Sequence, residues 1–573
     1  MIQLFAAAGI CEMLARVGTG LKEAVVDAGT FADLPLFRAV AAQALERLAA
    51  DARIVTIRGG EHLFRSGDVA DGLYVLRAGR LRVLVEDEEG LRVVRELGPG
   101  DVLGELALLT GSPRSASAQA VRDSELVELD AARFDALLSD DPRFARALLR
   151  ELAAQLQVSG GLATPSTRPR VFSVVPLGAG LDAERLAGAI ARELARFGSV
   201  DTLRGHEGSD AGAALLARAE AANDAVLLVS GHGDGEWDAF CRRQADRTVV
   251  LAGPDTPVTT DASGCDLVLQ ARMPAGRTTQ WLEASEPTAH HLVYEAAFDI
   301  GAARLARRVA GRSLGLVLSG GGARGFAHIG ALAAITEAGY SIDRLGGCSM
   351  GAFIAAMAAL GLDADQIRDR CEDELVRRTP FNDWTLPRVA LIRSRKAGRM
   401  LERVFGELQV EELPRPLFTV SADLLSSRTV VHRRGSLIEA VGASMSIPGL
   451  VPPLARGGKL LVDGGVLNNL PVDLMHDSQE GPVIAVDVVR RLELEADADA
   501  PPLPSIMETM TRATVLGSVE RAERNRTLAA LVISPDVQDV GLREFAALDR
   551  AVAAGRAAAE AALADAAAAL DCR

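Results

Sequence analysis

Ser349 sits at the centre of Gly347-Cys348-Ser349-Met350-Gly351, a G-x-S-x-G pentapeptide. An apolar run leads into it and the helix-forming stretch AFIAAMAAL leads out. A strand-to-helix elbow of this kind forces a strained turn that exposes the serine Oγ, and glycines such as Gly347 and Gly351 relieve its crowding. A hydroxyl held that way is suited to nucleophilic attack on an acyl carbon. Cys348, next door, is expected to point elsewhere and pack.

One βα unit upstream, LGLVLSGGGARG carries a buried strand into Gly320, Gly321 and Gly322, followed by Ala323, Arg324, Gly325 and a helix. Residues without Cβ let backbone N–H groups crowd toward an anion, and the helix dipole adds to the attraction. Gly320, Gly322 and Gly325 also satisfy G-x-G-x-x-G, a dinucleotide fingerprint. That fingerprint wants an acid at the end of the next strand, whereas Asp343 precedes the next apolar stretch. With a serine elbow following, an oxyanion hole is the better reading.

A serine nucleophile needs a base. The apolar run KLLV ends in Asp463-Gly464-Gly465, and the two glycines would let a carboxylate come close to Ser349. The histidines after Ser349 are His432 and His476. The order Ser349, Asp463, His476 formally permits a triad. His476 follows Asp463 by only thirteen residues, beyond a stretch that reads as a helix start. A Ser–Asp dyad fits better, with the carboxylate taking the serine proton directly.

GGGARG, GCSMG and DGG, in that order, resemble the patatin-like phospholipase family, and ASMSIPGLVPPL just before the aspartate strand resembles it too. The resemblance spans about 314–480. It implies that Ser349 is the nucleophile and Asp463 the base, that Gly320 to Gly325 form the oxyanion loop with Arg324 in the family's basic position, and that lipid acyl esters are hydrolysed through an acyl-enzyme with no metal or other catalytic cofactor.

A second constellation lies near the N-terminus. Gly104-Glu105-Leu106 opens a short helical turn, and Arg114-Ser115 follows. Amide groups at such a turn could face an anion, Glu105 could accept from a sugar hydroxyl, and Arg114 could pair with a phosphate through its planar fork. The plainer alternative is an Arg–Glu surface pair. The segment resembles the phosphate-binding cassette of cyclic nucleotide-binding domains over about 31–155. That resemblance implies cAMP or cGMP as an effector, Glu105 on the ribose and Arg114 on the cyclic phosphate. Ser115 stands where the family often has Ala or Thr and leaves the choice of base open.

These sites must be positioned by separate domains, and a chain of 573 residues is too long for one core. Helical spacing over 31–50 gives way after Arg53 to short alternating strands broken by glycine, as in a small β-barrel. It returns over 131–157. VSGGLATPSTRPR reads as a linker. From 171 to 304 strands alternate with helices, the mark of an α/β layer. The expected organisation is a helical segment at 1–30, a cyclic nucleotide-binding-like barrel with flanking helices at 31–157, a linker at 158–170, an α/β connecting domain at 171–304, a catalytic α/β patatin-like domain at 305–480, and a strand-and-helix extension at 481–573. The combination resembles bacterial relatives of neuropathy target esterase and implies a phospholipid or lysophospholipid substrate at a membrane surface. The competing reading is a nucleotide-sensing regulator whose hydrolase domain is a scaffold.

The balance of 62 basic and 77 acidic residues, net −15, argues against nucleic acid as a partner. It does not exclude a membrane, because PRVALIRSRKAGRMLERV (387–404) holds six basic residues against Glu402, beside apolar VALI and Leu401. Such a stretch could meet anionic lipid, although a solvated helix face has the same composition. Six cysteines without paired spacing suggest neither zinc nor disulfides. The expected location is the cytoplasm, with peripheral contact at the inner membrane as an added option.

Overall fold

In a computed structural model the described residues cover most of 52–570, apart chiefly from 88–89, 160–168, 206–208, most of 490–515 and single positions, together with Phe37, Leu45 and Glu46. The expected helical segment at 1–30 and most of the linker at 158–170 lie outside the described residues. The chain divides into two compact units: 1–173 with 202–248, and 174–201 with 249–573.

The first unit contains the barrel. Its strands are β1 (Arg53–Ile57), β2 (His62–Phe64), β3 (Gly72–Asp87), β4 (Gly90–Leu97), β5 (Val102–Leu103) and β6 (Ser117–Asp130). They pair in the order β1-β6-β3-β4, with β2 on β6 and β5 on β3. Along β6 buried and part-exposed residues alternate, as one face of a barrel wall requires. The six-residue helix α1 (Glu105–Thr110) interrupts the strands, and α2 (Ala131–Asp140) and α3 (Pro142–Ser159) follow them. Asp130 caps α2 by accepting from the Arg133 amide, one of the four donors that a helix start leaves unpaired. Phe134 and Phe144 pack edge to face in the core between helices and barrel. Further along this unit come β8 (Val200–Arg204), α5 (Ser209–Ala222), β9 (Ala225–Val229) and α6 (Gly235–Gln244). They are held to the barrel by Arg122, which bonds Glu220 at 3.0 Å, and by Asp123, which accepts from Gln244 at 2.9 Å.

The second unit begins with the remainder of the α/β connecting region: β7 (Val171–Pro176), α4 (Ala183–Leu194), β10 (Arg247–Ala252), β11 (Asp266–Gln270), β12 (Ala289–Val293) and α7 (Phe298–Val309). Strands β10, β11 and β12 are parallel neighbours, with the short all-apolar runs expected of strands covered on both faces.

The catalytic sheet follows. In it are β13 (Gly315–Leu318), β14 (Arg344–Cys348), β15 (Leu417–Asp423), β16 (Arg428–His432), β17 (Leu454–Arg456), β18 (Lys459–Asp463), β19 (Val483–Val486) and β20 (Leu531–Ile533), in the order β17-β18-β15-β14-β13-β19-β20 with β16 on β15. The helices used below are α8 (Ala327–Glu337), α9 (Met350–Ala359), α10 (Arg395–Phe405), α11 (Leu437–Ser444), α12 (Asp473–His476), α13 (Val519–Leu528) and α14 (Leu548–Ala564). Strands β14, β13, β19 and β20 run parallel in sequence across the sheet.

The described parts of 481–573 are therefore built into the catalytic sheet and its helices. β19 pairs directly with β13, and α14 lies against α8 with backbones in contact. A Cβ on Gly330 would strike the Val552 carbonyl, and one on Gly555 the Ala327 carbonyl. Two glycines thus set the closest approach of these helices.

Candidate active site

β14 delivers Ser349. The residue has φ 53 and ψ −121, a positive φ that a serine adopts only under constraint. The constraint is the sharp reversal from β14 into α9. A Cβ on Gly347 would lie 2.6 Å from the Gly351 carbonyl carbon, and one on Gly351 would strike the Leu318 carbonyl. Both glycines of the pentapeptide are therefore sterically required. The Ser349 amide donates to Ser444 Oγ at 2.9 Å, at the end of α11, which anchors the elbow from the far side.

The glycine loop leaves β13 beside the elbow. A Cβ on Gly320 would sit 3.1 Å from Ser349 Cβ and 2.5 Å from Asn469 Oδ1. Gly322 has φ 57 and a Cβ there would strike the Leu542 carbonyl, so glycine is needed on both counts. Hydrogen bonds sort the loop's amides. Gly320 N–H is donated to the Asn469 carbonyl at 3.2 Å, and Ala323 N–H to the Leu542 carbonyl at 2.9 Å. Among the described residues no hydrogen bond from the Gly321 or Gly322 amide to another part of the chain is seen. Arg324 belongs to the same loop. It is buried, and its Nε donates to the Val540 carbonyl at 2.7 Å, so it ties the loop to the C-terminal segment.

β18 ends at Asp463, buried behind the elbow. Its Oδ1 accepts from the Gly465 amide at 2.8 Å, and the Ser349 side chain is among the groups that lower its pKa. The approach depends on glycine: a Cβ on Gly464 would lie against Val420 in β15. Burial pushes the Asp463 carboxyl up to about 6, and the Ser349 hydroxyl, the Gly465 amide and the Cys348 thiol pull partly against it.

Cys348 does pack, in a core cluster with Val317, Phe418 and Val420. It does more than the sequence suggested, because its Sγ lies 3.6 Å from Asp463 Oδ1. Burial, then the Asp463 charge, raises the thiol well above its ordinary pKa, so it stays protonated and donates.

Two residues escaped the motif reading. Asn469 Nδ2 donates to the Gly320 carbonyl at 3.2 Å while its own carbonyl accepts from Gly320. This pair joins the aspartate segment to the glycine loop. Ser444 holds the Ser349 amide. Their signals were the NN of GGVLNN and the ASMS segment, which belong to no short catalytic motif.

The histidines are employed elsewhere. His432 Nε2 is 2.7 Å from Ser421 Oγ. His476, on α12, approaches Asp477 at 3.9 Å. Among the described residues, neither is hydrogen-bonded to Ser349 or Asp463. His328 is buried with Nε2 on the Ser319 carbonyl at 2.8 Å, and burial lowers it to about 4, so it is neutral. Among the described residues no group of three or more His, Cys, Asp or Glu could hold a metal.

In the barrel, Arg114 is buried, stacks over Phe64 at 4.3 Å, and donates to Asp71 Oδ1 at 2.7 Å and to the Gly72 and Gly104 carbonyls. Glu105 is buried at the start of α1, while Leu106 and Ser115 are exposed. Gly104 caps α1 at φ 93. Glu105 and Arg114 are both buried rather than on the surface, and Arg114 pairs with Asp71.

The basic-apolar stretch at 387–404 is corrected in one respect. Helix α10 buries Ala397, Met400, Leu401 and Phe405, so its apolar side is not available to lipid. Of VALI, Ala390 and Ile392 are buried and Val389 is exposed. The exposed apolar groups are Trp384, Leu386 and Val389, in a hairpin closed by the Trp384–Ile392 bridge. Leu391 and Ile392 donate to the Gly449 and Leu450 carbonyls, a few residues beyond Ser444 and Ser446, which contact Ser349 and Asp463. Among the described residues no helix is long and apolar enough to cross a membrane.

The elbow, the glycine loop and the aspartate strand on this sheet define a patatin-like lipid ester hydrolase that carries a cyclic nucleotide-binding domain. Residues 316–476 match the patatin-like phospholipase family and residues 54–141 the cyclic nucleotide-binding domain. An uncharacterized NTE family protein of Mycobacterium tuberculosis is 36% identical, over 93% of this chain and 95% of its own length. The chain belongs to the NTE family. Patatin-like phospholipase domain-containing protein 6 of Homo sapiens is 30% identical over 75% of this chain, and lysophospholipase NTE1 of Cryptococcus neoformans 29% over 75%. The matched part covers 37% and 32% of those longer proteins. The N-terminal domain of a transcriptional regulator from Streptomyces coelicolor is a solved structure with 29% identity over 24% of this chain and 97% of its own, at a TM-score of 0.20.

Proposed function

We propose that the chain hydrolyses acyl esters of phospholipids or lysophospholipids through a Ser349–Asp463 dyad. The observation that carries this reading is the convergence of Ser349, on its strained elbow, and the buried Asp463, whose carboxylate is reached by the thiol of the neighbouring Cys348. Asp463 accepts the hydroxyl proton as Oγ attacks the ester carbon. The amides of Gly321 and Gly322 receive the developing oxyanion, which fixed dipoles stabilise better than mobile water. The proton then passes from Asp463 to the leaving glycerol oxygen, and an acyl-serine remains. Water, deprotonated by the same carboxylate, releases the fatty acid. The steps call on no cofactor.

The exposed Trp384, Leu386 and Val389 give the site a place to meet a lipid surface, flanked by exposed Arg388, Arg393 and Arg395. Apolar side chains beside guanidinium groups favour an anionic interface.

The first domain reads as an effector site for cAMP or cGMP, with Glu105 on the ribose and Arg114 on the phosphate. Since Arg114 is paired with Asp71, a nucleotide phosphate would take the place of that carboxylate.

A lipid panel tests the proposal: phosphatidylcholine, lysophosphatidylcholine, monoacylglycerol and a short aryl ester, with fatty-acid release measured for the wild type and Ser349→Ala. The expected result is release from the phospholipid or lysophospholipid that disappears in the variant. Release from the aryl ester alone would overturn the lipid assignment.

A further inference from the structure

At the other end of the catalytic strands lies a cavity of about 200 Å³. β14 begins there with Arg344 and ends at Cys348, just before Ser349. Four steps at a strand's rise separate the two ends by about 13 Å. The cavity is thus distinct from the nucleophile's surroundings.

Its lining has an unusual charge balance. Arg304, Arg308, Arg344, Arg433 and Arg434 all face it, against one lining carboxylate, Glu480. Glu480 is already engaged: Arg308 Nη2 bonds it at 2.9 Å. Arg308 also pairs with Asp266. The other four find mainly neutral oxygens. Arg304 donates to the Pro414 carbonyl, Arg433 to Leu474 at 3.0 Å, and Arg434 to Leu282 at 3.4 Å. Arg344 spends its two Nη atoms on Ser478 Oγ and three main-chain carbonyls. Its Nε is buried with no hydrogen bond, 3.6 Å from Glu480 Oε2.

Main-chain carbonyls satisfy donors but do not neutralise charge. Burial pulls Arg304 down to about 10 and lowers Arg344, with carboxylates only partly opposing it. The two histidines on β12 supply no negative charge. Burial lowers both, His290 to about 4, and they stay neutral. The guanidinium forks around the cavity outnumber the carboxylates paired with them, and planar bidentate donors suit the oxygens of a phosphoryl group.

We propose that this cavity binds the phosphoryl group of a small, soluble phosphomonoester. The volume admits a phosphate with a three-carbon body and excludes acyl chains. Leu282, Leu413 and Phe418 line the remainder and would pack against that body. Arg433 and Arg434 are exposed and stand where a ligand would enter from water.

Calorimetry on the full chain tests this, with glycerol 3-phosphate, inorganic phosphate and glycerol as titrants, in buffer free of phosphate and sulfate. The expected result is one site for glycerol 3-phosphate, tighter than for inorganic phosphate, no heat with glycerol, and at least a tenfold loss of affinity in Arg433→Gln/Arg434→Gln. Arg114→Gln should bind as the wild type does. No binding to the wild type would overturn the proposal. So would binding that survives the double variant, or that is lost in Arg114→Gln and so belongs to the barrel. Binding seen only with phosphatidic acid vesicles would also overturn it, in favour of a lipid headgroup. If the double variant does not fold, phenylglyoxal labelling of the wild type replaces it. Glycerol 3-phosphate should then protect Arg433 and Arg434, and unchanged labelling would refute the site.

Discussion

Cys348 Sγ lies 3.6 Å from Asp463 Oδ1, so the residue before the nucleophile touches the proposed base. A protonated thiol there stabilises the ionised carboxylate and helps to fix the rotamer that faces Ser349. Removing the donor raises the Asp463 pKa. Cys348→Ala should therefore move the acid limb of the kcat/KM profile upward by a fraction of a unit and lower activity severalfold, while Cys348→Ser, which keeps a donor, should restore the profile. A pH series on the three proteins reads this out, and identical profiles would assign Cys348 to packing alone.

The acid limb itself follows from burial. Asp463 must be ionised to accept a proton, and its carboxyl is pushed up to about 6. kcat/KM should fall about tenfold per pH unit below that value. A limb near 4 would show that the base is a less buried carboxylate.

The same burial costs stability. In the fold Asp463 titrates at about 6 against an ordinary 3.8, so between those values the native state holds a proton that the unfolded chain has lost. The contribution of Asp463 therefore declines as pH rises from about 4 to about 6. Asp463→Asn, neutral throughout, should raise the thermal midpoint above pH 6 while abolishing hydrolysis. A lowered midpoint would mean that the lost carboxylate hydrogen bonds outweigh desolvation.

Strain is stored at the nucleophile as well. Ser349 has φ 53, and a non-glycine residue in such a region costs on the order of 1–3 kcal/mol. Ser349→Gly should be inactive yet more stable in denaturant titration than Ser349→Ala, which keeps the strain. Equal midpoints would remove the argument.

Arg114 is already paired with Asp71 at 2.7 Å, and a cyclic phosphate must compete with that carboxylate. Asp71→Asn should tighten cAMP or cGMP binding severalfold in fluorescence titration, and Arg114→Gln should abolish it. Weaker binding in Asp71→Asn would show that Asp71 orients Arg114 for the phosphate rather than occupying its place.

The candidate catalytic residues were legible because elbow chemistry is local. Gly347, Ser349 and Gly351 act within one turn, and Asp463 is marked by the glycines that let it approach. The supports were hidden because they come from distant contacts. Asn469 meets Gly320 across 149 positions, and β19 joins β13 to place the 481–573 region inside the sheet; no periodicity in either segment records the pairing. Which apolar residues of the 387–404 stretch are exposed was hidden for a related reason. Composition located the basic residues of 387–404, but only packing decides that Leu401 is buried and Leu386 is not.

The central claim is a dyad without histidine, and one comparison tests it most directly: kcat/KM for lysophosphatidylcholine in the wild type, Ser349→Ala, Asp463→Asn and His476→Ala. The dyad requires loss of at least about a thousandfold in the first two variants, in line with removal of a nucleophile or its base, and near wild-type activity in His476→Ala. A loss in His476→Ala comparable to that in Asp463→Asn would contradict the dyad and establish a triad.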